Sequence, residues 1–320
     1  MRKIVTVTGE IAPEQLGFCQ FHEHLLISDG KSREINDALF MDNWEISAKE
    51  AETFRKAGGC TVIDAQPGGC NRMAHGLAEI AGNAGIQILC STGFHKMIFY
   101  PEDHWIFRET ESKIADFFLK ELTEGVDNHC DTEISGETAE QKAGLIKCAL
   151  DTENLTPQYK KLFRAAAEAA AKADRILMIH IEQGSDPLLL LEFLRAEGVP
   201  SEKLVFCHLD RAVPDLAVHR QILKSGAFLE FDTIGRFKYH SDEKEVAIFQ
   251  QHITDGFGKQ LLFSLDTTRA RLAAYGPTEI GLDYILRVFL DKMQKAGITK
   301  EQIYDISVQN PVRALAGVQL

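Results

Sequence analysis

Short apolar runs alternate with longer amphipathic segments along almost the whole chain, and glycines close several of these repeats. This alternation predicts parallel β-strands joined by crossover helices. Several runs are apolar nearly throughout, which is typical of strands covered on both faces. The eight predicted strands are Gly17–Phe21, Cys60–Ala65, Ile86–Cys90, Ala143–Ala149, Ile176–Ile181, Leu204–Cys207, Ala227–Phe231 and Leu261–Leu265. The opening segment Lys3–Gly9 predicts part of a small hairpin before the first barrel strand.

The helix starts are marked by N-cap residues and by proline at the first helical position. The marks are the capping-box pairs Ser47/Glu50 and Thr299/Gln302 and the dipeptides Thr156-Pro157 and Asp186-Pro187. Eight strands alternating with about eight helices predict a single-domain TIM (β/α)8 barrel over residues 1–320, since such barrels commonly take about 250 residues. A doubly wound open sheet is the alternative. No G-x-G-x-x-G follows an early strand, so a dinucleotide site is not indicated.

The charge and composition of the chain indicate which kinds of partner it can bind. The net charge is −12, from 35 basic and 47 acidic side chains, which disfavours nucleic acid and anionic membranes. The opening residues contain no apolar run of the kind found in a signal peptide, and no stretch approaches the roughly 20 apolar residues of a membrane span. The seven cysteines form no CxxC pair. We therefore expect a cytoplasmic protein with reduced thiols that acts on a small molecule.

The predicted strands end in residues that bind metals. His22 and His24 follow the first strand, His180 and His208 end the fifth and sixth, and Asp266 ends the eighth. The C-terminal ends of the strands form the active-site face of a TIM barrel, so these side chains should meet. Singly, each has an ordinary interpretation: a surface turn, a hydrogen-bonded core histidine, or a helix N-cap. Together they predict a site for zinc, manganese, cobalt or iron.

Lys147 lies inside the apolar fourth strand, where a buried ammonium is costly. Burial and nearby cations favour the neutral amine, which can react with carbon dioxide to give a carbamate. A carbamate has two oxygens and can bridge two metals. The alternative is a lysine whose amine reaches solvent at the strand end. Two dications, one carbamate, Asp266 and one bridging hydroxide would leave a mildly positive site for an anionic transition state.

These segments resemble the phosphotriesterase family of the amidohydrolase superfamily over nearly the whole chain. The resemblance is carried by FHEHLLI, AGLIKCAL, MIHIEQG, FCHLDRA and LFSLDTTR. It implies that His22, His24 and Asp266 hold the more buried of two metals, that His180 and His208 hold the other, and that carboxylated Lys147 bridges both. The segments FDTIGRFKYHSDEK and SLDTTRARLAAYG are more similar to the phosphotriesterase homology proteins and lactonases. His95, in STGFHKMIFYP, stands where many lactonases have a tyrosine.

The resemblance implies a binuclear hydrolase, with zinc the expected metal and a metal-bridging hydroxide as the nucleophile. Asp266 would be both ligand and proton shuttle. The resemblance implies a lactonase acting on a sugar lactone. Loops after the seventh and eighth barrel strands often hold phosphate, so the lactone is expected to carry a phosphate; the alternative is that the cationic residues of these loops are solvated surface charges. We also expect a homo-oligomer, a dimer. The substrate-binding candidates are His95, Arg236, Lys238, Tyr239, Arg269 and Arg271.

Four alternatives stay open at this point: a phosphotriesterase, another ester or amide hydrolase on the same metals, a small-molecule binding protein, and a metal-free isomerase or aldolase with Lys147 as a Schiff-base amine. The histidines outside the predicted site are expected on the surface; they are His75, His104, His129, His219 and His252.

Overall fold

Eight parallel strands form a nearly closed barrel in the computed structural model, which describes residues 3–318. Each neighbours the next in chain order, and the backbone N–H of Asp266 donates to the His22 carbonyl at 3.0 Å, joining the last strand to the first. All eight predicted strands are confirmed, with ends shifted by a few residues. They are β3 (Cys19–Glu23), β4 (Thr61–Asp64), β5 (Gln87–Gly93), β6 (Ala143–Leu150), β7 (Leu177–Ile181), β8 (Leu204–Cys207), β9 (Phe228–Phe231) and β10 (Leu261–Phe263).

The predicted hairpin is also present. Strand β1 (Ile4–Thr6) pairs antiparallel with β2 (Gly9–Ile11), and the N–H of Val7 bonds to the Ile88 carbonyl at 2.9 Å, which attaches the hairpin to β5. One buried cluster takes apolar residues from every barrel strand and fills the interior. Residues two apart on a strand face the same side. Leu145 and Met178 lie inside the barrel, so Lys147 and His180, each two residues further along its strand, also face inward and lie nearer the C-terminal end.

Helices cover the outside of the barrel, and a second buried cluster packs them onto the strands. Three predicted helix starts are confirmed: Thr156, Asp186 and Thr299 each cap a helix with the side chain. The α-helices are α1 (Lys31–Ile35), α2 (Trp44–Lys56), α3 (Ala74–Ala84), α4 (Trp105–Arg108), α5 (Glu111–Thr123), α6 (Pro157–Ala173), α7 (Pro187–Ala196), α8 (Leu209–Ala212), α9 (Leu216–Lys224), α10 (Asp242–Thr254), α11 (Leu290–Lys295), α12 (Lys300–Tyr304) and α13 (Asn310–Ala316). Wider π-helical turns, Ile285–Phe289 and Asp305–Gln309, lead into α11 and α13.

The capping box predicted at Ser47 and Glu50 is wrong. Helix α2 begins a turn earlier, where the Asn43 side chain accepts from the N–H of Ile46 at 2.9 Å. Ser47 and Glu50 are buried within the helix. Ser47 donates to the Leu25 carbonyl at 2.6 Å, and Glu50 accepts from the N–H of Leu282 at 3.0 Å. The two polar residues of this S-x-x-E segment therefore bind backbone groups of distant loops instead of capping the helix.

The surface prediction holds for two of the five remaining histidines. His75 and His129 are exposed. His104, His219 and His252 are buried, so the prediction is wrong for them. Each finds a polar neighbour inside the protein, which a sequence pattern does not reveal. All seven cysteines are free thiols. Between residues 3 and 318, no helix has the length and apolarity needed to cross a membrane.

Candidate metal centre and substrate cavity

The side chains predicted to bind metal meet at the C-terminal end of the barrel. The Nε2 atom of His22 lies 3.0 Å from Lys147 Nζ and 3.7 Å from Asp266 Oδ1, and His24 Nε2 lies 3.5 Å from that same oxygen. The rings of His180 and His208 have centroids 4.4 Å apart, and the His22 and His208 centroids are 4.8 Å apart. All six predicted ligands therefore form one contiguous group, drawn from five strand ends.

Local backbone geometry sets the direction of several of these side chains. Strand β3 shifts register between Gln20 and Glu23, and such a bulge re-aims the side chains beside it. His208 and Asp266 have positive φ angles of 69° and 48°. Left-handed backbone is unfavourable for residues other than glycine and is often found at functional sites. These bends turn both side chains away from the alternation of their strands and toward the group.

Lys147 is held by a close approach of two strands. The N–H of Phe94 donates to the Lys147 carbonyl at 2.8 Å. Gly93, just before it, has φ of 112°, and a Cβ there would lie 1.9 Å from the Lys147 carbonyl oxygen. Only glycine fits at that position. The side chain of Lys147 is completely buried, so the alternative in which its amine reaches solvent is wrong.

Two buried carboxylates that the sequence interpretation missed stand behind the histidines. Asp232 Oδ2 lies 2.5 Å from His208 Nδ1, and Glu230 Oε2 lies 3.5 Å from His22 Nδ1. A carboxylate beside one ring nitrogen of a metal-binding imidazole orients the ring and leaves its other nitrogen for the metal. Arg211 Nη2 also lies 2.8 Å from His208 Nδ1. Both carboxylates could have been found from sequence: Glu230 interrupts the apolar strand FLEF, and Asp232 follows its end.

Glu23 faces away from the metal group, as the H-x-H spacing predicted. Its carboxylate accepts from the N–H groups of Leu265 at 2.7 Å and Thr267 at 3.0 Å. These amides lie on either side of Asp266. The carboxylate of Glu23, which lies between His22 and His24 in the sequence, therefore fixes the loop that carries Asp266.

The protonation states suit cation binding. Burial, reinforced by Lys147, holds the pKa of His22 well below its usual range. Burial likewise lowers the pKa values of His180 and His208. Burial also opposes ionisation of Asp266, but Arg236 and the His24 hydrogen bond outweigh it and hold the pKa of that carboxyl well below its ordinary value. Neutral imidazoles and an ionised carboxylate are the forms that bind metals.

The donor set therefore fits divalent cations. His22, His24 and Asp266 offer ligand atoms within 4.8 Å of one another, and so do His22, His208, Glu230 and Asp232. Imidazole nitrogens and carboxylate oxygens together are typical of zinc and related metals.

A cavity of about 280 Å³ opens above this group. Of the predicted substrate-binding residues, His95, Arg236, Lys238 and Tyr239 line it. The structure does not bring Arg269 and Arg271 to its wall. Arg269 forms an ion pair with Asp37, and Arg271 donates to the Ile234 carbonyl at 2.6 Å.

Three charged residues that the sequence interpretation missed also line the cavity: Lys96, Glu182 and Arg211. Lys96 Nζ lies 2.5 Å from Glu182 Oε2, which is also 3.2 Å from His180 Nε2. Arg211 Nη2 lies 2.9 Å from Asp266 Oδ2, and Arg236 Nη2 lies 2.8 Å from that same oxygen. The cavity therefore has metal-capable side chains at its base and mostly cationic side chains on its wall.

Comparisons with known proteins cover nearly the whole chain. The model of the phosphotriesterase family matches residues 2–315. A phospho-furanose lactonase of Mycoplasmopsis synoviae (strain 53) is 29% identical over 321 residues, covering 97% of this chain and 91% of that protein. An N-acetyltaurine hydrolase of Danio rerio is 26% identical over 356 residues, covering 98% and 97%. The crystal structure of a lactonase from Listeria monocytogenes is 29% identical, with a TM-score of 0.89, over 99% of this chain and 100% of that chain.

Proposed function

Because this chain belongs to the phosphotriesterase family, we propose that it is a metal-dependent lactonase whose substrate is a phosphorylated sugar lactone. The observation that carries the proposal is a single cavity with the metal-capable group at its base and Arg236 and Lys238 on its wall. The relatives named phospho-furanose lactonase, which align over 97% of the chain, support the same substrate class.

We propose that the site holds two zinc ions. His22, His24 and Asp266 would hold one, His180 and His208 the other, and a carbamate on Lys147 would bridge them. When bound, such ions polarise the scissile carbonyl and make hydroxide available near neutral pH. Asp232 and Glu230 would keep the rings of His208 and His22 oriented through their Nδ1 atoms.

Asp266 is the residue we propose to move the proton. Its Oδ1 faces the Nε2 atoms of His22 and His24, while its Oδ2 contacts Arg211 and Arg236. The carboxylate would accept a proton from the attacking water and deliver it to the alkoxide that leaves as the ring opens. An anionic substrate would compete with Asp266 for Arg236, which would leave Arg211 as the cationic partner of Oδ2 and make that oxygen a better proton acceptor.

Lys238 and Tyr239 would bind the phosphate together with Arg236. All three come from the loop after β9, and Lys238 Nζ lies 4.7 Å from the centre of the Tyr239 ring. Arginine and lysine are well suited to phosphate, the former through paired hydrogen bonds. His95 also lines the cavity, where burial holds its pKa well below the ordinary histidine value, so it would act as a neutral hydrogen-bonding group.

An amide hydrolase acting on an N-acyl sulfonate is the second candidate. The N-acetyltaurine hydrolase of Danio rerio aligns over 98% of this chain, and a cationic wall would suit a sulfonate as well as a phosphate. The metal group and Asp266 would serve both reactions, because each passes through a tetrahedral oxyanion.

A substrate panel tests the proposal. The zinc-loaded enzyme is assayed with a phosphorylated furanose lactone, the same lactone without phosphate, an N-acyl taurine and a phosphotriester. We expect kcat/KM to be highest for the phosphorylated lactone. Lys238→Glu should raise KM for that substrate about tenfold or more, equivalent to about 1.4 kcal/mol, and leave the neutral lactone unchanged. Lys244→Glu, a charge reversal at an exposed position of α10, is the matched control.

Equal effects of Lys238→Glu on the charged and neutral lactones would contradict the phosphate assignment. Preferred turnover of the N-acyl taurine would replace the lactonase proposal with the amide hydrolase. Turnover that survives complete removal of metal, with trapping of Lys147 by borohydride, would support the Schiff-base alternative.

A further inference from the structure

A second buried group of metal-binding side chains lies outside the cavity. Asp210 in α8, His240 in the loop after β9 and Glu245 in α10 offer ligand atoms within 4.8 Å of one another. Asp210 and Glu245 are 1% and 0% exposed, and the His240 side chain is 6% exposed. None of the three lines the cavity above His22 and Asp266.

Hydrogen bonds to the backbone fix one member of this group. Asp210 accepts from the N–H groups of Arg211 at 3.0 Å, Asp232 at 3.1 Å and Thr233 at 2.7 Å. A carboxylate with three such donors is held in one orientation. Asp210 therefore brings a carboxylate in a fixed position to the group.

The contact between His240 and Glu245 requires a proton or a metal ion between the two groups. His240 Nδ1 lies 3.1 Å from the Ser241 carbonyl, so this nitrogen carries a proton, and in the neutral ring Nε2 presents a lone pair. That Nε2 lies 3.1 Å from Glu245 Oε2. In the part of the chain that the structure describes, His240 Nε2 and both oxygens of Glu245 have no hydrogen-bond partner. A lone pair facing a carboxylate oxygen is repulsive unless a proton or a metal ion stands between them.

The nearest cationic side chain is committed elsewhere. Arg211 pairs with Asp232 through Nη1 and with Asp266 through Nη2. Two buried carboxylates, Asp210 and Glu245, therefore share the group with one imidazole. Balancing two ionised carboxylates takes either two protons or one dication, and a dication can also bind the imidazole.

We infer that Asp210, His240 and Glu245 form a binding site for one divalent transition-metal ion, separate from the cavity. One nitrogen and two oxygen ligands suit zinc, for which metal–ligand distances of about 2.0–2.2 Å place tetrahedral ligand atoms roughly 3.4 Å apart. The 3.1 Å between His240 Nε2 and Glu245 Oε2 is close to that spacing. The ion would join α8, the loop after β9 and α10. That loop carries Arg236, Lys238 and Tyr239, so the ion would hold the cationic wall of the cavity in place.

The test locates metals in the wild-type protein and counts them. Protein is purified from zinc-supplemented cells, desalted and crystallised without added metal. Diffraction at the zinc absorption edge should give an anomalous peak between Asp210, His240 and Glu245. Elemental analysis should show that Glu245→Gln, which keeps the shape but removes the charge, loses one zinc per chain. Glu243→Gln, an exposed glutamate on the same helix, is the matched control and should retain it.

Further measurements separate a metal site from a proton-sharing one. With a metal, Glu245→Gln should lower Tm and speed proteolysis of the segment 232–241, and excess zinc should not restore either property. With a shared proton, glutamine would replace the protonated glutamate well, and the metal content and Tm would stay unchanged. That result, or wild-type crystals with no peak at this group, would overturn the inference. Anomalous peaks in the cavity are measured separately from a peak at this group. The proposed function can therefore fail while this metal site is confirmed, and this site can be absent while the proposed function is confirmed.

Discussion

Acidification should destabilise the fold through a buried pair of histidines, His219 in α9 and His252 in α10. His219 Nε2 contacts the carbonyls of Val213 at 2.8 Å and Leu209 at 3.2 Å, so it carries the proton. His219 Nδ1 must then accept from His252 Nε2, 3.1 Å away. This leaves His252 Nδ1 as a bare acceptor, and in the described chain it has no hydrogen-bond partner. A proton added there would be buried without an acceptor.

The size of the effect follows from the His252 pKa. Burial, reinforced by His219, lowers it from 6.5 to about 4, although Asp255 acts in the opposite direction. An unfolded chain takes up the proton as the pH falls through 6.5, whereas the folded protein resists until about pH 4. The contribution to stability is therefore complete above pH 6.5 and is lost as the pH falls toward 4. Between pH 7 and pH 5 the loss is about 2 kcal/mol. For a chain of 320 residues that lowers Tm by about 3 °C.

The assay compares thermal unfolding at pH 7 and pH 5 for the wild type and for His252→Gln. The glutamine amide can donate to His219 but does not titrate, so the fall in Tm between the two pH values should be about 3 °C smaller in the variant. His75→Gln makes the same chemical change at an exposed position of α3 and should behave as the wild type. Other titrating groups, including any metal ligands, are common to all three proteins. An equal fall in Tm for His252→Gln and the wild type would refute the tautomer assignment.

Three further predictions concern the site and the fold. Asp266→Asn should lower kcat about 10²–10⁴-fold, because an amide cannot take the proton, and a smaller effect would remove Asp266 from that role. Glu23→Gln should lower the free energy of unfolding in urea by about 1–3 kcal/mol, because one carboxylate oxygen becomes an NH2 group that cannot accept from a backbone N–H. An unchanged urea midpoint would contradict the role of Glu23 in holding Leu265 and Thr267. Thr156→Ala should cost about 1 kcal/mol through the loss of the N-cap of α6, measured in the same way, and Thr156→Ser should retain most of it.

The sequence was sufficient for the barrel because its strands are continuous apolar runs with clear turn signals. The sequence also predicted that the six candidate ligands lie close together, because active-site residues of a barrel gather where strands end. Ser47 and Glu50 show where local pattern fails. The same S-x-x-E spacing that caps an exposed helix can equally satisfy backbone groups of distant loops, and only the tertiary contacts decide between these uses.

The substrate wall was predicted less well, because loop residues have no periodicity to place them. Arg236 and Lys238 reach the cavity, whereas Arg269 and Arg271 point to other loops. Arg211 was missed although it lies three residues after His208, within a segment already singled out. Its role depends on Asp232 and Asp266, which are far away in sequence, so no local signal identifies it.

The contact of Glu23 with the two amides beside Asp266 has a consequence for biosynthesis. The participating residues are 242 and 244 positions apart, at opposite ends of the barrel sequence. A nascent chain that has emerged only as far as β9 already presents His22, His24 and most of the sheet, yet it lacks Asp266 and the partners of Glu23. Under the proposed function, high-affinity uptake of metal by this group would have to wait until the final strand leaves the ribosome, so that metallation would be a late event that reports on completion of the fold.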